Sequence, residues 1–186
     1  GVLRLDNQTT NNGNRINDMT TVSLSGGEIL LVGNATATPS ETTGAINTGD
    51  QLISTISVQN TSGGAQSVAL VGSSMGTGAG RNVNVRAIGG DLSATGPNRI
   101  AFLNAPGNIA TAVVPGGATT TTGVILGTRV TGAAGINLAT YGNAPEGVAI
   151  VPLPATGYTS DLASAGPLSN VRITTPGTYT LTTSKQ

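Results

Sequence analysis

The chain reads as an all-β module, an irregular β-solenoid of the β-helix kind, with a β-sandwich as the alternative architecture. Three observations carry this reading. Apolar and polar residues alternate with period two in many short segments. Turn signals rich in Gly, Pro and Asn separate those segments at intervals of about 8–15 residues. Large aromatic side chains are nearly absent: one Phe, three Tyr and no Trp. Two sheets packed about 10 Å apart leave a volume that aromatic rings usually fill. A solenoid instead stacks small and β-branched residues in ladders, with Asn and Thr at its corners. The composition therefore favours the solenoid, with coils of irregular length because no strict short period is visible.

The elements follow in chain order. Leu3 and Leu5 share one face of a strand, with Arg4 and Asp6 on the other. Leu52, Ile56 and Val58 oppose Ile53, Thr55 and Ser57, and Val83 and Val85 alternate with Asn82, Asn84 and Arg86. Ile136 with Leu138, Val171 with Ile173, and Tyr179 with Leu181 repeat the pattern. Runs that are apolar on both faces predict strands buried on both sides: Ile29–Val32, Val68–Val71, Ile100–Leu103, Val124–Leu126 and Val148–Val151. Between them lie Asn12-Gly13, Gly26-Gly27, Gly49-Asp50, Gly63-Gly64, Gly89-Gly90-Asp91, Gly96-Pro97, Pro106-Gly107, Pro115-Gly116-Gly117 and Pro176-Gly177. Thr, Val and interrupting Gly disfavour helices, and Ser160–Ala165 makes one turn at most.

Residues 1–186 form a single β module, expected to be a repeat unit, a fragment or a subunit of a larger extracellular assembly. Eight basic and eight acidic residues give a net charge of zero, and charged residues are only 9% of the chain. The basic excess that nucleic acid or an anionic membrane would need is missing. So low a charge suits a chain that is anchored or assembled rather than freely diffusing. With no Cys and no His there are no disulfides, thiolate metal sites or His-based triads. No apolar run reaches the roughly 20 residues that span a bilayer as a helix. The start shows no basic region followed by an apolar one, so a signal sequence is expected to have been removed or to lie upstream.

The opening Gly1-Val2-Leu3-Arg4-Leu5-Asp6-Asn7 resembles the GTLxLDN signature of autotransporter-associated β-strand repeats. The Asn-rich stretch Asn11–Asp18 follows, as it does in modules of very large bacterial β-strand-repeat surface proteins. Leu24-Ser25-Gly26-Gly27-Glu28-Ile29-Leu30-Leu31-Val32-Gly33-Asn34 is similar to their LxGGxLxxxGN segment. Ser40-Glu41-Thr42-Thr43-Gly44-Ala45-Ile46 is similar to their SETxGAL segment. Asn98-Arg99-Ile100-Ala101-Phe102 and Ala139-Thr140-Tyr141-Gly142 extend the likeness. The resemblance implies a β-solenoid module of an exported surface protein and brings no catalytic residues with it.

The chemistry on offer is sparse. Glycoside hydrolysis needs two carboxylates facing across a sugar. The eight available are Asp6, Asp18, Glu28, Glu41, Asp50, Asp91, Glu146 and Asp161, and no pair stands in a recognisable motif. A Ser–Lys dyad would have to use Lys185, the sole lysine. Gly76-Thr77-Gly78-Ala79-Gly80 lacks the Lys and the helix of a phosphate loop and reads as a turn. Asp6, Asn7, Asn11, Asn12, Asn14 and Asp18 offer oxygen ligands for calcium, but not at EF-hand spacing, and turn structure is the better reading. Asn7-Gln8-Thr9, Asn34-Ala35-Thr36 and Asn60-Thr61-Ser62 match the glycosylation sequon, a match that chance supplies readily in a chain so rich in Asn and Thr. Thr119–Thr122 could carry O-linked sugar, with a solvated loop the plainer reading. Arg81, Arg86, Asp91 and Arg99 form the densest charged stretch, which reads as a solvated surface or a salt bridge to a neighbouring module, with a small anion or glycan patch as the alternative.

No catalytic, cofactor-binding or metal site is expected. The leading functional expectation is a structural module of an extracellular filament, stalk or sheath on a bacterial surface, assembling with copies of itself or like modules through β-strand contacts. Both ends carry strand-like sequence and no amphipathic helix or charged cap, so both are expected to be open. The alternative is an adhesin domain binding surface glycans or matrix. A solenoid polysaccharide lyase or hydrolase is a third reading.

Overall fold

The computed structural model describes residues 1–49, 52–76, 82–105, 109–110, 124–125, 127–162, 165 and 169–178. It is an all-β chain, 48% strand, wound into a β-solenoid of about three turns. The first face carries β1 (Val2–Asp6), β3 (Glu28–Val32), β6 (Ile53–Gln59), β9 (Asn82–Ile88) and β13 (Thr128–Gly132), all parallel. The second carries β4 (Ser40–Thr43), β7 (Val68–Gly72) and β10 (Asn98–Phe102). The third carries β2 (Val22–Leu24), β5 (Ile46–Thr48) and β8 (Met75–Gly76). Glu28 sits beside Val2, Thr55 beside Glu28 and Asn84 beside Thr55, so the chain returns to the first face after 26, 27 and 29 residues. The next return, to Arg129, takes 45 residues and includes the short pair β11 (Ile109–Ala110) and β12 (Val124–Ile125).

Inward positions stack like on like, as expected where a parallel register repeats. Leu3, Ile29, Ile56, Val85 and Val130 form one ladder, and Leu5, Leu31, Val58 and Ala87 a second. All of these except Leu3 are buried. The second face contributes Glu41, Leu70 and Ile100, and the third Val22, Ile46 and Met75. The one Phe finds room because its neighbour in the ladder is glycine: a Cβ on Gly72 would stand 2.7 Å from the Phe102 ring.

The expected doubly buried runs are found in β3 and β7, every residue of Ile29–Val32 and Val68–Val71 being buried. Leu103 departs from its run and is exposed. Ile136 and Leu138 lie in β14 (Gly135–Ala144), but they point outward, with Ile136 70% exposed. They stand opposite Thr131 and Arg129, outward positions of β13, and pairing dictates the side. Val171 makes only an isolated bridge with Thr159, and Ile173 is exposed. One 3-10 turn forms at Ala155–Gly157, and the stretch expected to make one turn at most, Ser160–Ala165, lies partly outside the described residues. Tyr179 and Leu181, together with Pro115-Gly116-Gly117 and Pro106-Gly107, lie outside the described residues.

Among the described residues, the expectation of an open end at the C-terminal side is corrected for the first and second faces; the third face ends at β8. There β14 runs antiparallel to β13 over its first half and to β15 (Gly147–Pro152) over its second, and β15 in turn pairs antiparallel with β10. The hairpin thus carries the first face around onto the second, merging both into one ten-stranded sheet. A reversed strand pair does the closing that a helix or charged cap would otherwise do.

Candidate functional site

The corners after β3 and β6 are built the same way. Asn34 Oδ1 accepts the Thr36 N–H (2.8 Å), the Thr36 hydroxyl (3.0 Å) and the Ala37 N–H (3.0 Å). Asn60 Oδ1 accepts the Ser62 N–H (2.9 Å), the Ser62 hydroxyl (2.8 Å) and the Gly64 N–H (3.2 Å). The side-chain amides reach further: Asn34 Nδ2 donates to the Asn7 carbonyl of the coil below, and Asn60 Nδ2 to the Gln66 carbonyl. Asn7 holds the first corner, accepting from the Asn12 N–H and the Arg15 guanidinium. The three sequon matches therefore recur because the coil recurs. At Asn34 and Asn60 the hydroxyl at the third position donates to the asparagine that turns the chain, whereas at Asn7 the Asn12 N–H and the Arg15 guanidinium take that place. All three asparagines are buried, so their amides are not presented for glycosylation. At the fourth corner Gly89 replaces asparagine, with φ +81°, and a Cβ there would meet the Asn60 carbonyl at 2.6 Å.

At the N-terminal end Glu41 is fully buried at the foot of its ladder. Its carboxylate accepts the N–H groups of Arg15 (2.9 Å) and Ile16 (2.7 Å), fastening the 7–21 loop across the second face. The Arg15 guanidinium bonds the Asp6 and Thr10 carbonyls and Asn7 Oδ1. Of the oxygens weighed for calcium, those of Asp6, Asn7 and Asn12 accept hydrogen bonds within the loop. Asp6 pairs with Arg4 at 2.7 Å and accepts the Gln8 N–H, bonds that hold its carboxyl below the ordinary value of 3.8. Asn12 and Asn17 each accept an N–H two residues on. Among the described residues no group of three carboxylates gathers.

Among the described residues only β1 keeps a free strand edge on the first face. Glu28 N–H donates to the Gly1 carbonyl and Asn7 N–H to the Val32 carbonyl. In a parallel ladder this alternation turns odd residues of β1 toward β3 and leaves the backbone of Val2 and Arg4 facing away. Val2 and Leu3 are exposed there, at 60% and 46%.

The charged stretch divides among separate places. Arg86 lies on the first face and pairs with Glu28 at 2.6 Å. Arg99, on the second, makes a forked pair with Glu146 at 2.7 Å, tying the hairpin turn to β10. Asp91 accepts the Ala134 N–H at 2.8 Å. These charges are consumed inside the chain, and the structure does not bring them together. Arg81, Asp50, Thr119–Thr122, Lys185 and residues 77–80 of the glycine-rich run lie outside the described residues.

Sequence reasoning missed the Arg99–Glu146 clasp and the Glu41 latch. Both join residues at least 25 positions apart, and a single strand pattern carries no signal for either. It also passed over Arg129. This exposed arginine of β13 borders a cleft of ≈ 360 Å³ on the first face. Comparison with family models, curated proteins and solved structures finds no match to the chain.

Proposed function

We propose that the chain is a structural module of an extracellular filament, stalk or sheath, and that it joins a like module through the free edge of β1. The observation that carries this reading is the unfinished ladder: Leu3 is the half-exposed end of a stack whose other members are buried, beside the unpaired backbone of Val2 and Arg4. The low charge and the motif resemblance support a surface-exposed assembly. The hairpin at the far end makes the module one that closes a stack there. Growth in both directions is not part of the proposal.

Magnitudes limit the strength of such a joint. Each backbone bond nets about 0.5–1.5 kcal/mol, and burying Leu3 and Val2 adds about 1.5–3 kcal/mol each at most. Association costs roughly 4–15 kcal/mol. One edge alone gives a weak, concentration-dependent joint, and modules held in one fibre would gain from their high local concentration. Sedimentation equilibrium tests it. The wild-type chain should associate reversibly as concentration rises. Arg4→Pro should stay monomeric, since it deletes an outward N–H while leaving the β1–β3 bonds intact. A wild-type chain that remains monomeric throughout would sink the proposal.

A further inference from the structure

From the cleft on the first face we infer that the module carries a binding site for an acidic saccharide, with Arg129 as the anchor for a sugar carboxylate. This goes beyond the scaffold reading and does not depend on it. Arg4, Arg86 and Arg99 each pair with a carboxylate, while Arg15 and Arg172 donate to Asn7 and Asn137. Among the described arginines Arg129 alone has no such partner. Its planar guanidinium fits a carboxylate through two parallel bonds.

The surroundings suit a sugar. The cleft of ≈ 360 Å³ falls within the range of small-molecule sites. Asn82 and Asn170 line it; Asn170 Nδ2 donates to the Gly157 carbonyl, which leaves its Oδ1 to accept from a ring hydroxyl beside the Asn82 amide. Thr128 lines it too, and its hydroxyl is buried without a hydrogen-bond partner. A buried hydroxyl left unpaired is costly, and a ligand hydroxyl reaching it would remove that cost. Ile53 and Leu138 supply exposed apolar surface for the C–H face of a sugar ring. Beside Arg129, Asn84 is held by the Thr131 hydroxyl at 2.6 Å, so this part of the face is ordered before any ligand arrives.

The test is calorimetric titration of the full chain with an oligogalacturonide and with its methyl ester, which keeps the rings and hydroxyls but lacks the charge. Saturable binding of the acid, with the ester at least about tenfold weaker, is expected from loss of a charge-assisted pair. Arg129→Gln should weaken the acid about tenfold or more and leave the thermal midpoint unchanged. Arg4→Gln, which removes the same charge elsewhere, should bind as wild type. Absence of saturable binding, an unchanged affinity in Arg129→Gln, or equal weakening by Arg4→Gln would each overturn the inference. None of these outcomes bears on association through β1, which sedimentation reads separately.

Discussion

Asn60 shows how much one residue does in this fold. Its side chain accepts two backbone N–H groups and a hydroxyl, and donates to the Gln66 carbonyl, all at a corner where the chain must change direction. Truncation to alanine would leave those backbone groups partly buried without partners. Orphaned donors cost about 1–3 kcal/mol each, less where water can replace the lost acceptor. Asn60→Ala should therefore lower stability by about 2–3 kcal/mol in chemical denaturation, whereas Asn143→Ala, in the hairpin strand β14, serves as the small-effect control. The same geometry separates two meanings of one motif: Asn-x-Thr/Ser is here a corner that closes on itself. The tripeptide was plain in the sequence, but that it marks the first three corners emerges only once the coils are aligned by their hydrogen bonds.

At the scale of elements, the strands buried on one or both faces were the legible part. Period two in β6 and β9 and the continuous apolar runs of β3 and β7 state burial locally, residue by residue. The direction of β14 was not legible. Ile136 and Leu138 alternate as a core strand would, and only pairing with β13 turns them outward. The latch at Glu41 was hidden for a related reason. A glutamate in a Thr-rich strand reads as surface, yet it stacks on Leu70 and Ile100 and answers two amides of a distant loop. Glu41→Leu would continue the apolar ladder and strip those amides of their acceptor. Hydrogen exchange should then lose protection at Arg15 and Ile16 while the amides of β6 and β9 keep theirs. Equal loss in both places would mean the loop and the coils unfold as one unit.

For the whole molecule, stability is distributed over rungs that each touch only their neighbours, with a loop fastened at one end and a hairpin at the other. Tyr141 in the hairpin links this stability to alkaline pH. Burial disfavours its phenolate and pushes the phenol from 10.0 up to about 12. The folded state therefore holds the proton more tightly than the unfolded chain. That contribution is intact below pH 10 and is lost as pH rises through the interval to about 12. Denaturation midpoints should fall across that interval in the wild type and less in Tyr141→Phe. The parallel rungs have a further consequence when the module is loaded by force. Their hydrogen bonds run along the stack, so tension on the N-terminal end peels one rung at a time instead of shearing many at once. With 27 and 29 residues between successive strands of the first face, each released coil pays out roughly 90–100 Å of extended chain. Such a module yields in steps and lengthens under tension, and the reversed hairpin at its far end is the last part to feel the pull.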